Sequence, residues 1–294
     1  MQPTIAQALA GAQLDTIDAR ALLRHACGVN DAYLVAHSNE TLSAAQSAAY
    51  GALVCRRAAG EPIAYIVGMR EFFSLDFKVT PAVLIPRPET ELLVEFALER
   101  IEAERSGSVL DLGTGSGCIA IAVAKHLPRA KVVAADNSAA ALAVARENAA
   151  RHATPNLELI ESDWFSALGD KRFDLIVANP PYVAAGDPHL SEGDLPAEPA
   201  AALVAGNDGL DCVRAIVQAA PRYLNCGGWL ALEHGYDQAE RCRELLSTAG
   251  LEEVFTRTDL AGVERVSGGR RPPAPRLSRL ATTRKVLRKA WMPA

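Results

Sequence analysis

The chain has 294 residues, 49% of them apolar and 22% charged, with 30 basic side chains against 35 acidic ones and a net charge of −5. This composition supplies a buried core and excludes a disordered or fibrous chain, and no apolar run reaches the roughly 18 residues of a membrane helix. Residues 1–30 lack the basic-then-apolar order of a signal peptide, so a cytoplasmic protein that does not engage membranes is expected.

Residues 1–60 are rich in Ala and Leu and poor in strand formers. Ile17, Leu22, Leu23, Leu34, Val35, Leu42, Leu53 and Val54 recur at helical intervals. Ser43 with Gln46 fits a capping box opening a helix to about residue 59, while Gly28, Asn30 and Asn39 supply breaks. A bundle of three or four helices over residues 1–62 is expected. Residues 65–85 gain aromatic and β-branched side chains, which predicts a short hairpin within a linker of residues 63–88. Pro86-Arg87-Pro88 ends it, and residues 89–105 resume helical spacing through Leu92, Leu93, Phe96 and Ile101, with acids in the first turn.

From Ser108 onward strands and helices alternate. Strands are expected at 109–112, 132–135, 157–160, 175–178 and 229–232, and helices at 118–127, 139–151, 210–224 and 238–249. Such alternation predicts an α/β domain over residues 89–269, with a mostly parallel sheet covered on both faces. Segments 253–258 and 264–267 have no helix between them and read as a terminal antiparallel hairpin. The remaining residues, 270–294, form a Pro-containing tail, expected to be flexible with a weak helix from Leu277. The tail holds eight basic residues and no acid; removing those eight charges from the total of −5 leaves −13 on residues 1–269. An acidic body is poorly suited to gripping nucleic acid, and only the tail carries charge for it.

The six cysteines, Cys27, Cys55, Cys118, Cys212, Cys226 and Cys242, show no CxxC spacing, and the six histidines are equally scattered. The thiols read as small buried hydrophobes, and no metal is expected.

Four constellations carry chemistry. Val109 to Gly117 reads VLDLGTGSG, a strand running into a glycine loop that opens a helix. Glycines let the backbone turn tightly and let a ligand approach, and Asp111 sets a carboxylate beside the loop suited to a cationic or hydroxyl-bearing ligand. The spacing is GxGxG and not the GxGxxG of a dinucleotide loop; a plain strand-to-helix turn is the structural alternative. Asp136 ends the second strand, where an acid can accept ribose hydroxyls, or can cap the next helix in competition with Asn137 or Ser138. Ser162-Asp163-Trp164 follows the third strand and places a carboxylate beside an aromatic, a pairing that suits adenine, or else simply a surface Asp and a core Trp. Asn179-Pro180-Pro181-Tyr182 follows the strand ending at residue 178. There Asn179 offers a side-chain carbonyl, Pro180 a backbone carbonyl and Tyr182 an aromatic wall, which together can hold a planar NH2 group by its two hydrogens.

Together these sites resemble S-adenosylmethionine-dependent methyltransferases of the Rossmann-like class, among which Asn-Pro-Pro-Tyr marks enzymes acting on a planar amino or amide nitrogen. Gly60-Glu61-Pro62-Ile63-Ala64-Tyr65 with Gly68, Glu71-Phe72-Phe73, Leu84-Ile85-Pro86-Arg87-Pro88-Glu89-Thr90-Glu91, Ser162-Asp163-Trp164-Phe165 and Leu232-Glu233-His234-Gly235 narrow the resemblance to the HemK/PrmC family, up to about Gly269. Its members methylate the glutamine of the Gly-Gly-Gln loop in class 1 peptide chain release factors. The resemblance implies S-adenosyl-L-methionine as cofactor, a release factor as protein partner docked with help from the N-terminal helices, and no direct nucleic-acid substrate. By position it implies that Gly113, Thr114, Gly115, Ser116 and Gly117 border the methionine part of the cofactor, Asp136 holds the ribose and Trp164 lies by the adenine. It further implies that Asn179 touches both cofactor and substrate, and that Asn179, Pro180, Pro181 and Tyr182 clamp the glutamine amide. The basic tail departs from the family pattern and inherits no role. A ribosomal-protein glutamine methyltransferase and an N6-adenine nucleic-acid methyltransferase use the same clamp; the N-terminal helices with GEPIAY and IPRPET argue against the first, and the charge of −13 against the second. A nicotinamide dehydrogenase would need GxGxxG, and a nucleotide-binding regulator would not need the clamp.

Overall fold

The computed structural model describes residues 2–273 apart from Ala103 and Arg105. Five helices open the chain: α1 (Ile5–Gly11), α2 (Thr16–Cys27), α3 (Asp31–Ala36), α4 (Ala44–Ala58) and α5 (Ile63–Val67). The Ser43–Gln46 capping box opens α4 as expected, and Thr4 with Gln7 forms a second one at α1. Leu22, Leu23, Leu34, Leu42, Tyr50 and Ile66 close a core of their own. Ile17 and Val35 share the helical period but stand in solvent at 78% and 63% exposure, so they are not core residues.

The hairpin is shorter than the segment expected for it. Residues 63–67 are helical because Pro62 sets φ −58° at the N-cap and Gly68, at φ +76°, closes the turn. The strands are β1 (Met69–Phe72) and β2 (Leu75–Lys78). A 3-10 turn, Pro88–Thr90, leads into α6 (Glu91–Arg100). This helix stops before the expected residue 105, because Ile101 turns extended and is buried.

The seven-stranded sheet comprises β3 (Ser108–Leu112), β4 (Lys131–Asp136), β5 (Leu157–Glu161), β6 (Phe173–Ala178), β7 (Leu224–Glu233), β8 (Glu252–Thr258) and β9 (Glu264–Arg270). Its spatial order is β5-β4-β3-β6-β7-β9-β8; the first five strands are parallel, and β9 pairs antiparallel with both β7 and β8. The helices α7 (Cys118–His126), α8 (Ala139–His152), α9 (Asp211–Tyr223) and α10 (Ala239–Thr248) follow strands as expected. One apolar layer joins Val109, Val132 and Leu175 to α6 and α7, and a second joins Leu110, Leu112 and Ile176 to α9 and α10. Central strands buried on both faces account for their unbroken apolar runs.

Two boundaries move. Strand β7 begins five residues before 229, because pairing continues through Gly227 and Gly228: Gly227 N–H donates to the Arg271 carbonyl over 3.0 Å. The tail expected from residue 270 loses its first two members, since Arg270 ends β9 and Arg271 N–H donates to the Gly228 carbonyl over 2.8 Å. The expected weak helix from Leu277 lies outside the described residues. Among the described residues no helix is long and apolar enough to cross a membrane. Of the thiols read as buried, only Cys118 and Cys242 are; Cys55 and Cys226 are exposed, since alternating and helical patterns alike leave small residues on wet faces.

Candidate active site

Ligands in open α/β sheets enter where the strand order reverses, beyond the carboxyl ends of the strands. Here the reversal falls at β3, which has β4 on one side and β6 on the other. A cavity of about 290 Å3 opens there, walled by the ends of β3, β4 and β6 and by residues 82–86.

The β3–β4 wall is built around the glycine loop. Gly113 and Gly115 take φ +71° and +55°, where a side chain would be strained. Gly117, at φ +84°, serves packing: an added Cβ would stand 2.9 Å from Ile121 Cδ1 and 3.3 Å from Ala145 Cβ, so α7 and α8 could not approach as they do. Asp136 fastens the loop, one oxygen accepting from Gly115 N–H at 2.8 Å and the other from Ser138 N–H at 2.9 Å. The helix cap considered for Asp136 is instead Ser138, whose hydroxyl accepts from Ala141 N–H. Asp111 is fully buried; its Oδ2 accepts from the Thr114 hydroxyl at 2.6 Å, while its Oδ1 has no hydrogen-bond partner among the described residues. Burial pushes its pKa up to about 7. Trp164 lines the cavity with φ +46°, in a turn tied by the Ser162 hydroxyl donating to its carbonyl at 2.8 Å.

The β6–β7 wall is built from side chains. Ala178 pairs with Leu232, which sets Asn179 and Glu233 side by side at the ends of neighbouring strands. Asn179 Nδ2 donates to Thr90 Oγ1 at 3.0 Å, and the Thr90 hydroxyl donates to Glu233 Oε2 at 2.7 Å. The Tyr182 hydroxyl donates to Glu233 Oε1 at 3.2 Å. Glu233 is 1% exposed, and burial pushes its pKa up to about 7, with Glu89 adding to the rise and the Thr90 and Tyr182 hydrogen bonds opposing it. Burial and the Glu233 carboxylate in turn raise the Tyr182 phenol.

A long segment from 183 to 209 roofs the cavity through Pro199, Ala201 and Ala202. Its anchor is the buried Glu198, which accepts from Ile85 N–H at 3.1 Å and pairs with the Arg87 guanidinium. Arg57 of α4 bridges Asp18 and Asp194 at 2.7 Å each, joining the helical bundle to this roof.

The chain is 53% identical over 275 residues to the release factor glutamine methyltransferase of Burkholderia pseudomallei, covering 92% of this chain and 96% of that protein. The chain belongs to the release factor glutamine methyltransferase family. The Xylella fastidiosa member (strain 9a5c) is 50% identical over 88% of this chain and 94% of its own length. The PrmC N-terminal domain family matches residues 4–68 and the methyltransferase small domain family residues 89–193. The first match takes in α5 and ends at the Gly68 cap, six residues past the boundary expected from composition. A solved T. thermophilus 16S rRNA methyltransferase, in complex with AdoMet and guanosine, shares the fold at TM-score 0.51 and 24% identity, covering 69% of this chain and 49% of that one.

In this family member, Gly113, Thr114, Gly115, Ser116, Asp136, Trp164, Asn179 and Pro181 all line the one cavity. Gly117, Pro180 and Tyr182 are not part of its lining: Gly117 packs helices, Pro180 is buried, and Tyr182 turns its hydroxyl to Glu233. Thr90, Glu198 and Glu233 carry no role in the sequence reading, although Thr90 and Glu233 sit in segments quoted for the family likeness. The signal that marks them is a buried polar side chain at a strand end or loop anchor, which only the folded chain displays.

Proposed function

We propose that the protein transfers a methyl group from S-adenosyl-L-methionine to the side-chain amide nitrogen (N5) of the glutamine in the Gly-Gly-Gln loop of class 1 peptide chain release factors. One observation carries this reading beyond family membership. Asn179 stands at the cavity with its Nδ2 committed to Thr90, so its Oδ1 is the atom left to accept from an incoming planar N–H.

The cavity suits the cofactor. Asp136 offers a carboxylate where a ribose diol would lie, Trp164 an apolar face for adenine, and two glycines a close backbone approach. Behind the loop, the buried Asp111 carboxylate holds Thr114, which lines the cavity. When bound, S-adenosyl-L-methionine supplies a methyl group activated by its sulfonium.

The protein's task is to present a poor nucleophile, because the amide lone pair is delocalised into its carbonyl. Asn179 Oδ1 and the Pro180 carbonyl would accept the two amide hydrogens and fix the direction of the nitrogen. Orientation of this kind can supply up to on the order of 7–11 kcal/mol of a barrier. No side-chain acid–base pair is assigned; the proton leaves once the new bond has formed. Cys118 and Cys212 also line the cavity, but burial pushes the Cys118 thiol up to about 12 and raises Cys212, so neither is a ready nucleophile. The helical bundle, joined to the roof through Arg57, would help dock the release factor.

The test uses labelled S-adenosylmethionine with release factors, Gly-Gly-Gln→Ala variants of them, ribosomal proteins and DNA in separate reactions. Label on wild-type release factor alone is expected. Label on a ribosomal protein or on DNA overturns the substrate assignment.

A further inference from the structure

The Asn179 amide has two ends of nearly equal shape and opposite hydrogen-bonding sense, and nothing in its own rotamer decides which end faces the cavity. The clamp works only with the oxygen there, because the substrate nitrogen brings hydrogens. The decision is made by proton bookkeeping two residues away. An ionised carboxylate accepts and cannot donate, so Glu233 Oε2 takes the single hydrogen of the Thr90 hydroxyl at 2.7 Å. Thr90 Oγ1 is then left as an acceptor and receives Asn179 Nδ2 at 3.0 Å. The second carboxylate oxygen is occupied by the Tyr182 hydroxyl at 3.2 Å, which fixes the far end of the same clamp. The centre of the relay is dry: Thr90 is 2% and Glu233 1% exposed, so water does not scramble the donor–acceptor order between them.

We propose that Glu233 is a positioning residue for amide selection: acting through the Thr90 hydroxyl, it sets the orientation of the Asn179 side chain so that an acceptor, never a donor, meets the substrate nitrogen. The inference rests on the methyl-transfer reading above, but the orientation it describes exists without substrate. Protonation of Glu233 would undo the order, since a carboxylic acid donates to Thr90 and frees the Thr90 hydrogen for Asn179 Oδ1. The groups facing Glu233 are Thr90 and Glu89 from the turn before α6, Tyr182 after β6, Arg265 of β9 and Cys118 of α7. Burial and Glu89 hold its pKa near 7 against Arg265 and the two hydroxyl hydrogen bonds, so the ordered form prevails above that pH and is lost below it.

Four variants of the full chain test this. Glu233→Gln keeps the shape but can donate to Thr90, and it should lower kcat on release factor about 100-fold while leaving cofactor affinity unchanged. Thr90→Val should lose as much, Thr90→Ser should restore nearly the wild-type rate, and the Glu233→Gln/Thr90→Val double variant should be no worse than either single one. The substrate-free readout is the Asn179 Nδ2 proton pair in a nitrogen–proton NMR spectrum, identified by its disappearance in Asn179→Asp. It should shift with a midpoint near pH 7 in the wild type and stay unmoved in Glu233→Gln. An Asn179 signal indifferent to pH, a Thr90→Val enzyme at the wild-type kcat, or additive losses in the double variant would each overturn the inference. If the wild type methylates no release factor yet its Asn179 signal titrates as described, the substrate reading fails and the orientation device stands.

Discussion

On the β3–β4 side of the cavity the wall takes its shape from the backbone, through glycine dihedrals and through Asp136 gripping the Gly115 and Ser138 amides. On the β6–β7 side they are side chains that hold one another, Asn179 on Thr90, and Thr90 and Tyr182 on Glu233. The first wall is suited to binding, because backbone amides recur whatever the side chains and tolerate change around them. The second is suited to discrimination, because exchanging an oxygen for an NH2 inverts its message at no cost in volume. Changes to the first wall should therefore appear in cofactor affinity, and changes to the second in turnover.

The largest effect expected is at Asn179. Asn179→Ala removes the acceptor proposed to orient the substrate nitrogen and should lower kcat about 1000-fold, the scale of losing a preorganised polar contact to a reacting group. Cofactor affinity, read by calorimetry, should survive within about threefold. Equal losses of both would erase the division between the walls. Next comes Asp136→Ala, which frees the Gly115 amide and removes the acceptor proposed for the ribose. Charge-assisted hydrogen bonds contribute about 1.5–3 kcal/mol, so cofactor affinity should weaken on the order of 10–100-fold. Methyl transfer at saturating cofactor should fall far less than in Asn179→Ala; a matching fall would show that the glycine wall also serves the chemistry.

A smaller effect is expected outside both walls. Arg57 is partly buried between Asp18 and Asp194, and Arg57→Ala detaches the helical bundle from the roof over the cavity. Partly exposed ion pairs contribute little to stability, about 1 kcal/mol or less, so the melting temperature should barely move. The KM for release factor should rise severalfold with kcat and cofactor affinity unchanged. A rise in the cofactor Kd instead would mean that the roof, and not docking, depends on this bridge.

The same contrast explains what the sequence made legible. The backbone wall announces itself: GxGxG after an apolar strand and an acid at the end of the next strand are local patterns, and so is the Asn-Pro-Pro-Tyr that contributes to the other wall. The strands could be read for the same reason, since Val109, Leu110 and Leu175 are apolar because both sheet faces are covered. The rest of the side-chain wall could not be read so. Thr90 and Glu233 lie 143 residues apart, and only the pairing of β6 with β7 and the docking of the turn before α6 bring them together. Where local pattern misled, tertiary context overrode it: Tyr65-Ile66-Val67 looks like strand, but Ile66 is needed in the helical core and the Tyr65 hydroxyl reaches the Val83 carbonyl at 2.6 Å. Likewise the strand expected from residue 229 starts at Leu224, because Arg271 pairs with Gly227 and Gly228.

The smallest effect is expected from the basic tail, and its deletion must begin later than the sequence suggests. Arg271 holds β7 by two hydrogen bonds, donating its N–H to the Gly228 carbonyl and accepting from Gly227 N–H, and its guanidinium donates to the Leu224 carbonyl. Removing residues 271–294 would therefore loosen the strand that ends in Glu233, and lost activity would report on the second wall and say nothing of the tail. Removing residues 274–294 takes away Arg276, Arg279, Arg284, Lys285, Arg288 and Lys289 and keeps these Arg271 contacts with β7. With both walls untouched, methyl transfer to free release factor should stay within about twofold at 0.15 M salt, where a charge is felt over only about 8 Å. Repeating the assay at low ionic strength sharpens the point. A deficit that appears only there is long-range attraction of the partner, whereas a large loss independent of salt would put the tail in the catalytic machinery and add a third wall to the two described.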